Sequence, residues 1–334
     1  MKVQSEVLRL LEQNRGQDMS GQELADKLGV SRAAVWKAIN KLKQEGYKIQ
    51  AVNNRGYRLL EDSDVLSAEE ISRYFAPEYK DNKVVVYKIT ESTNLEVKKM
   101  ALEGAAEGLL VLSEQQTGGR GRRGRQFYSP EGTGIYMSVL FRPTAEQSQN
   151  IVRITTATSV AICRSIRKIF AREPGIKWVN DVYLNGKKIC GILTEAVSDF
   201  ESGQIDTVVV GIGINYREPE GGFPEDIRGI AGVVCNAEDT IPRNQFIAEV
   251  YNQLMDVYHT LSAKEFMEEY KQWSNVIGKW VRFSTRPDPE DPEGWVKGIA
   301  VDIDEEGGLV VEKEDGTRTV LRTGEISLRI EENV

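Results

Sequence analysis

The segment Gln115–Arg125, which reads QQTGGRGRRGR, interleaves arginine and glycine within an otherwise acidic chain. Glycine lets the backbone approach a ligand and present N–H groups to an anion, and each guanidinium adds a planar, permanently charged donor. Strand-like apolar stretches flank the segment at residues 108–113 and 134–141, which indicates a loop held at both ends by a sheet. The pattern predicts an anion-binding loop; a disordered Gly/Arg run that binds nucleic acid is the alternative.

Composition bounds the class of protein. The chain has 334 residues and 40% of them are hydrophobic, which is enough for two or three domains with sizeable cores. Three widely spaced cysteines without metal-ligand spacing predict reduced thiols in a cytoplasmic protein, and we expect no membrane span and no secretory signal. The single histidine, His259, follows a helical apolar pattern, so we expect no zinc site and no histidine-based catalysis.

The net charge of −8 conceals an asymmetry along the chain. The first 60 residues carry 11 Lys and Arg against 6 Asp and Glu, whereas the remainder carries 32 against 45. A basic N-terminal segment followed by an acidic remainder predicts a separate DNA-binding module.

Capping residues and a turn divide this basic N-terminal segment into a helix-turn-helix followed by a hairpin. Ser20 and Ser31 each precede an amphipathic helix, with a turn at Gly29-Val30 between the two helices, and residues 47–52 and 57–60 flank a turn at 53–56. This pattern predicts a winged helix-turn-helix, with a three-helix protein-interaction module as the alternative. The candidate DNA-binding residues are Ser20, Ser31, Arg32, Ala33, Trp36, Lys37, Asn40 and Arg55.

A second change of pattern separates two further segments. After an acidic linker at residues 61–64, strand-like stretches alternate with longer helices, among them a helix over Asn150–Ala171 with one apolar face. The predicted strands of this segment are residues 83–89, 109–114, 135–141, 182–184, 188–197 and 207–214. From about residue 279 the pattern becomes short strands with charged turns, which is typical of a small β-barrel. We therefore predict domains at residues 1–62, 63–274 and 275–334.

Four further clusters have no evident role in packing. Residues 91–94 read ESTN at the end of a strand, where helix capping alone would explain them. Residues 177–181 read KWVND at a junction between a loop and a strand, where Asn and Asp also suit an ordinary turn. Residues 211–215 read GIGIN, and alternating glycines within a strand permit close approach to a ligand. Residues 324–329 read GEISLR near the C-terminus.

Taken in order, these motifs resemble the family of bifunctional biotin–protein ligases and biotin-operon repressors over essentially the whole chain. The resemblance rests on the winged helix, Ser92–Asn94, the arginine loop (residues 118–125), Lys177–Asp181, Gly191–Leu193 and Gly211–Asn215. It implies an α+β multidomain fold with a central mixed α/β ligase domain, whose sheet resembles that of class II synthetases, and a C-terminal SH3-like β-barrel. It also implies a reaction in which biotin and MgATP form biotinyl-5′-adenylate, followed by biotin transfer to a carrier-protein lysine.

The resemblance also implies roles for individual residues. Lys177, Arg122 and Asp181 would be catalytic, with Asp181 either orienting Lys177 or helping to deprotonate the acceptor lysine. Biotin would contact Ser92, Thr93, Asn94, Gln116, Gly119, Arg120, Arg122, Lys177, Gly191, Ile192 and Leu193. The nucleotide would contact Arg120, Arg122, Arg123, Phe127, Lys177, Asn180 and Asn215. Magnesium would arrive with ATP near Asn215, without a dedicated metal site.

Two positions depart from the family pattern. Phe127 stands where the family often has Trp, and Val179 stands where it often has Pro. Phe127 can still stack on adenine but offers no indole donor. Neither change removes a charged group, so we expect activity to survive.

Partners and rival functions follow from the same resemblance. We expect a biotin carboxyl carrier domain, operator DNA and a ligand-promoted homodimer as partners, with no membrane. A lipoate–protein ligase and a ligand-sensing repressor with an inactive ligase domain are the alternatives.

Overall fold

The computed structural model describes residues 2–61, 63–148, 151–198, 205–261, 265–284, 295–322 and 327–330. Within these ranges the α-helices are α1 (Lys2–Gln13), α2 (Gly21–Leu28), α3 (Arg32–Gln44), α4 (Ala68–Arg73), α5 (Thr93–Leu102), α6 (Ala145–Ser148), α7 (Ile151–Phe170), α8 (Glu225–Arg228), α9 (Arg243–His259) and α10 (Glu265–Gln272). The strands are β1 (Ile49–Val52), β2 (Gly56–Leu59), β3 (Val84–Thr90), β4 (Leu110–Gln116), β5 (Gly134–Phe141), β6 (Gly175–Lys177), β7 (Asp181–Leu184), β8 (Lys187–Ser198), β9 (Ile205–Asn215), β10 (Trp280–Ser284), β11 (Val296–Ile303), β12 (Leu309–Lys313), β13 (Arg318–Leu321) and β14 (Ser327–Ile330).

The N-terminal segment is the predicted winged helix-turn-helix. Helices α1, α2 and α3 pack around a core of their own that includes Val7, Leu24 and Ile39, and strands β1 and β2 form the antiparallel wing. An isolated bridge between Met19 and Tyr57 joins the wing to the segment before α2. The prediction from capping residues and hairpin chemistry is confirmed.

The central segment is built on a mixed sheet, as predicted. Among the described residues seven strands pair in the order β3-β4-β5-β9-β8-β7-β6, and the β3–β4 pair is parallel whereas the others are antiparallel. The predicted helix over 150–171 is observed as α7. Strand β6 was not among the predicted strands, because three residues carry too little periodicity to be recognised.

The two faces of this sheet have different covers. Helices α7 and α9 bury one face in the main apolar core, which includes Met137, Ile192 and Ile212. Helix α5 covers part of the other face, where Val97 packs against Val111 and Val209. Beyond α5 this second face is left to loops, and the candidate site lies there.

The C-terminal segment is an antiparallel sheet, which agrees with the predicted small β domain. Its strands pair in the order β13-β12-β11-β10-β14 within the described residues. Its apolar side chains, among them Val281, Phe283 and Leu309, are continuous with the main core of the central segment. Residues 324–326 of the predicted GEISLR cluster lie outside the described residues.

A buried arginine fastens the linker between the first two segments. Arg243, at the start of α9 and 1% exposed, contacts the carboxylates of Asp64 at 3.1 Å and Glu114 at 2.9 Å. Glu114 also accepts the backbone N–H of Leu66 at 2.8 Å. Because buried ions need compensating charges, this cluster fixes the chain just after the winged helix. The limits 1–62, 63–274 and 275–334 themselves stay predictions.

Candidate active site

The arginine loop is a folded hairpin between strands β4 and β5. Phe127 donates its N–H to Gly119 at 3.0 Å, and Gly121 donates to Arg125 at 2.7 Å. Arg123 and Gly124 have φ values of 58° and 71°, and these left-handed residues reverse the chain at the tip. The loop is therefore held at both ends by the sheet, as predicted, with a regular base that positions its arginines.

Four motif residues align in one row across the sheet. Lys177 pairs with Asp181 between β6 and β7, Asp181 pairs with Gly191 on β8, and Gly191 pairs with Gly213 on β9. Residues paired in register project on the same face of a sheet. The site row, defined as these four residues, therefore brings three separate sequence motifs onto one surface.

The two glycines of the site row make room for an aromatic ring. A Cβ atom added at Gly213 would lie 2.7 Å from the Phe127 ring, and one added at Gly191 would lie 3.6 Å from it. Phe127 thus rests on the bare backbone of β8 and β9. This close approach explains Gly213, the second of the alternating glycines in the GIGIN motif.

Cationic side chains gather at the other end of the row. Lys188 forms an ion pair with Asp181, with 2.7 Å between Nζ and Oδ1. Arg122 donates to the Asn180 side chain at 3.2 Å, and the Lys177 ammonium lies 6.0 Å from the centre of the Tyr183 ring. Burial lowers the pKa of Arg122, although the nearby Asp181 carboxylate opposes that shift. Arginine stays charged at physiological pH, so this end of the site is suited to an anion.

A buried polar cluster forms the opposite end. Gln116 Oε1 accepts the backbone N–H of Thr93 at 2.9 Å and lies 3.2 Å from the Thr93 hydroxyl, while its amide nitrogen donates to Ser129 at 3.2 Å. Ser138 contacts both the Thr93 hydroxyl and the Asn94 side chain. Ser92, the N-cap residue of α5, makes no capping bond with its side chain. Capping therefore does not explain Ser92.

One cavity of about 640 Å³ joins the two ends. Its lining includes nearly all of the predicted ligand contacts, namely Ser92, Thr93, Asn94, Gln116, Arg120, Arg122, Arg123, Phe127, Lys177, Asn180, Asp181, Gly191, Ile192, Leu193 and Asn215. Gly119 is not in the lining; it packs at the base of the hairpin, where a Cβ atom would lie 2.5 Å from the Phe127 carbonyl oxygen. Arg120 pairs with Glu91 at 3.1 Å on the rim.

Sequence reasoning missed several lining residues. Lys188 lines the cavity beside Asp181, and its signal in the sequence was a lysine pair after the Asn185-Gly186 turn. Arg125 and Gly211 also line the cavity. A segment without a recognisable motif contributes Pro224, Asp226, Ile227, Ile230 and Ala231. Asn215 donates to the Lys188 carbonyl at 3.4 Å, which ties the end of β9 to this cationic region.

The predicted DNA-binding residues lie together on the winged helix. Ser20 and Ser31 accept backbone N–H groups of α2 and α3 as helix caps. Arg32, Ala33, Trp36 and Lys37 are exposed along α3, and Asn40 is half-buried. Arg55 at the wing tip is exposed and lies 3.3 Å from Asp18. An exposed Trp36 on a basic helix indicates a contact surface rather than core packing.

The part of the chain that the structure describes contains neither a metal-binding cluster nor a membrane-spanning helix. Within the described ranges no group of three His, Cys, Asp or Glu side chains is placed to hold a metal ion. No helix in those ranges has the length and apolar character needed to cross a bilayer. The three cysteines are buried and unpaired, and His259 ends α9 beside Glu107 rather than at the cavity.

Three family models match successive parts of the chain. A model for an HTH domain matches residues 3–58, and a model for the biotin/lipoate A/B protein ligase family matches residues 86–215. A model for the biotin protein ligase C terminal domain matches residues 289–329. Their order is the order of the three segments seen in the fold.

Relatives match the chain along nearly its full length. The bifunctional ligase/repressor BirA of Bacillus subtilis is 32% identical over 95% of this chain and 96% of its own length. The protein of the same name from Escherichia coli is 28% identical over 94% of each chain. Biotin protein ligase from Aquifex aeolicus, solved in complex with biotin and ATP, superposes with a TM-score of 0.63 at 26% identity, covering 75% of this chain and 99% of its own. The chain belongs to the family of bifunctional biotin–protein ligases and repressors.

Proposed function

We propose that this chain is an ATP-dependent biotin–protein ligase that also represses transcription in response to biotin. One observation carries the ligase proposal: a single cavity has a buried polar cluster at one end and three cationic side chains, Arg122, Lys177 and Lys188, at the other. Biotin has the matching chemistry, with a cyclic urea at one end and a carboxylate at the other.

The proposed reaction has two steps. A carboxylate oxygen of biotin attacks the α-phosphorus of ATP, and pyrophosphate leaves, which gives biotinyl-5′-adenylate. The amine of a carrier-protein lysine then attacks the acyl carbon, so that an amide forms and AMP leaves. The first step brings two anions together, and catalysis of it consists mainly of positioning and neutralising charge.

The cationic end performs that neutralisation. We assign Lys177, Lys188 and Arg122 to the reacting carboxylate and α-phosphate, with Arg120 and Arg123 closing over them from the arginine loop. Positioned charges of this kind stabilise a transition state strongly because they need no reorganisation. The contact of Asp181 with Lys188 favours an orienting role for Asp181, exercised on Lys188 rather than on Lys177.

The remaining lining residues divide between the two substrates. We assign Ser92, Thr93, Asn94 and Gln116 to the urea ring, since a buried urea must be hydrogen-bonded, and Gly191–Leu193 to the wall beside the thiophane ring. Phe127, Asn180 and Asn215 would contact the nucleotide, and Mg²⁺ would enter bound to the ATP phosphates. Phe127 would shift from the bare backbone of the site row to stack on adenine.

The winged helix supplies the second function. We propose that α3 enters the major groove of operator DNA while Arg55 contacts the backbone, and that a homodimer promoted by the adenylate binds two half-sites. The carrier domain and the operator would both be met in the cytoplasm.

Isotope exchange between pyrophosphate and ATP tests the ligase proposal. We expect exchange that depends on biotin, and with a carrier domain and labelled biotin we expect a labelled lysine. Exchange supported by lipoate instead would identify the lipoate–protein ligase alternative. Absence of exchange together with biotin-dependent operator binding would identify a repressor with an inactive ligase domain.

A further inference from the structure

A hydrogen-bond relay runs beneath the polar end of the cavity. It consists of Lys98, Glu195, Asn94, Ser138 and Thr93, which come from helix α5 and strands β5 and β8. Asn94, Ser138 and Thr93 are 4%, 0% and 4% exposed. Buried polar groups of this kind are energetically significant because each unsatisfied donor or acceptor is costly.

Glu195 sets the orientation of the Asn94 amide. One Glu195 oxygen accepts from Lys98 at 2.6 Å, and the other accepts from the Asn94 amide nitrogen at 2.7 Å. Burial by itself would raise the pKa of Glu195, but the hydrogen bonds from Lys98 and Asn94 and the nearby cations hold that pKa below its ordinary value. An ionised carboxylate accepts hydrogen bonds and cannot donate them. The NH₂ group of Asn94 therefore faces Glu195, and its carbonyl oxygen faces Ser138.

The orientation of the Asn94 amide then decides which hydroxyl donates in the contact between Ser138 and Thr93. The Ser138 hydroxyl lies 2.6 Å from the Asn94 carbonyl oxygen and 2.7 Å from the Thr93 hydroxyl. The carbonyl brings no proton, so the single Ser138 proton points to Asn94. Two acceptors lie near the Thr93 hydroxyl, Ser138 at 2.7 Å and Gln116 Oε1 at 3.2 Å, and the Thr93 proton goes to the nearer one, Ser138. The Thr93 hydroxyl proton is therefore used within the protein, and toward a ligand this hydroxyl can act only as a hydrogen-bond acceptor.

The strand next to Asn94 is built for the same orientation. A Cβ atom added at Gly211 would lie 2.2 Å from the Asn94 carbonyl oxygen, so only glycine leaves space for that oxygen against β9. Gly211 pairs with Ser138 across β5 and β9, which places both residues beside the same amide.

We infer that Glu195, held by Lys98, is a specificity-determining positioning residue that makes the Thr93 hydroxyl an acceptor for an N–H donor of the substrate ring. This inference rests on the proposed ligase function, in which a cyclic urea occupies the polar end. A buried acceptor such as this hydroxyl disfavours an analogue that lacks the N–H donor, because binding of that analogue would leave the acceptor without a hydrogen bond. The relay therefore selects a urea ring and disfavours rings without N–H groups.

Glu195→Gln tests the direction of the relay. The amide has nearly the shape of the carboxylate, but it can donate, so Asn94 can turn over and the relay can reverse. We expect the KM for biotin in pyrophosphate exchange to rise roughly tenfold or more with a smaller change in kcat. We also expect the variant to lose most of the parent's preference for biotin over the cyclic carbamates in which oxygen replaces a ring N–H.

Lys98→Met provides a second variant at the edge of the relay. Without the ammonium group the pKa of Glu195 rises, so the carboxyl group becomes protonated at a higher pH than in the parent. We expect the KM of this variant for biotin to increase as the pH is lowered toward 5, with a flatter profile in the parent. Glu96→Gln is the matched control, because Glu96 also lies on α5 and pairs with Lys99 at 3.0 Å outside the relay.

The outcomes separate this inference from the proposed function. A parent protein without biotin-dependent exchange would overturn the ligase proposal. If the parent protein shows exchange, the result for Glu195→Gln decides the inference. An unchanged ratio between the kcat/KM for biotin and the kcat/KM for the carbamates would overturn it, even if the two kcat/KM values fell together. Thermal unfolding of each variant shows whether it is folded as stably as the parent. Recovery of the preference for biotin in Glu195→Asp would show that the carboxylate group is what matters.

Discussion

Single side chains at the cationic end carry the charge that the reaction needs. We expect Lys177→Ala to lower the rate of biotin-dependent exchange by two to three orders of magnitude, because a positioned charge at such a transition state contributes about 3–4 kcal/mol. Lys187→Ala is the control, since Lys187 is exposed on the neighbouring hairpin and does not line the cavity. Near-parental exchange in Lys177→Ala would remove Lys177 from the mechanism.

The bare backbone beneath Phe127 is a second feature at the residue scale. In Gly213→Ala the new methyl group would lie 2.7 Å from the Phe127 ring and displace it. We expect the KM for ATP to rise severalfold and stability to fall by about 1–3 kcal/mol, which is the usual cost of overpacking. Gly229→Ala, where a Cβ atom would meet nothing within 4 Å, should change neither quantity. An unchanged KM for ATP in Gly213→Ala would disconnect Phe127 from the nucleotide.

At the scale of elements, the arginine loop should act as a cover over the intermediate. Arg122→Gly removes a charged contact and adds backbone freedom at the hairpin tip, so we expect adenylate to form but to escape. The measurable result is biotin on bystander lysines when a second protein is present. Arg122→Ala separates lost charge from added flexibility. Retention of adenylate as tight as in the parent would contradict the cover.

The sequence predicted most helices and strands, but it did not predict which strands pair or which distant side chains meet. Apolar periodicity and turn residues were enough for the winged helix, for α7 and for most strands of the central sheet. Lys188 was missed because its partner Asp181 is reached through the register of β7 and β8, which includes a bulge. Glu195 and Lys98 were missed because their positions in the sequence differ by 97 residues. Pairings over such distances depend on sheet order, which local patterns do not encode.

At the scale of the whole molecule, the Arg243 cluster predicts where the chain can be cut. A protein starting at residue 63 keeps Asp64, so we expect lost operator binding with most of the ligase activity retained. A protein starting at residue 67 leaves Arg243 buried with one carboxylate fewer, and we expect a loss of about 3–5 kcal/mol in the free energy of unfolding. Urea unfolding of the two truncated proteins measures the difference, and equal stability would contradict the role of the cluster.

Regulation also belongs to the whole molecule. If the adenylate orders the arginine loop and thereby completes a dimer surface, ligand binding and dimerisation must favour each other by the same factor. We therefore expect sedimentation to show a tighter monomer–dimer equilibrium with biotinyl-adenylate, together with tighter operator binding. An unchanged dimerisation constant alongside unchanged operator affinity would leave two independent functions on one chain.

The site row has a consequence for how this protein can change during evolution. Its four members face the cavity because four neighbouring strands keep one alignment, and a shift by a single residue would turn a strand's side chains to the opposite face. Lineages can therefore exchange side chains along these strands far more readily than they can gain or lose one residue within them. We therefore expect insertions and deletions among relatives to lie in the turns between strands. Within each strand the number of residues should stay constant even where the residues themselves differ.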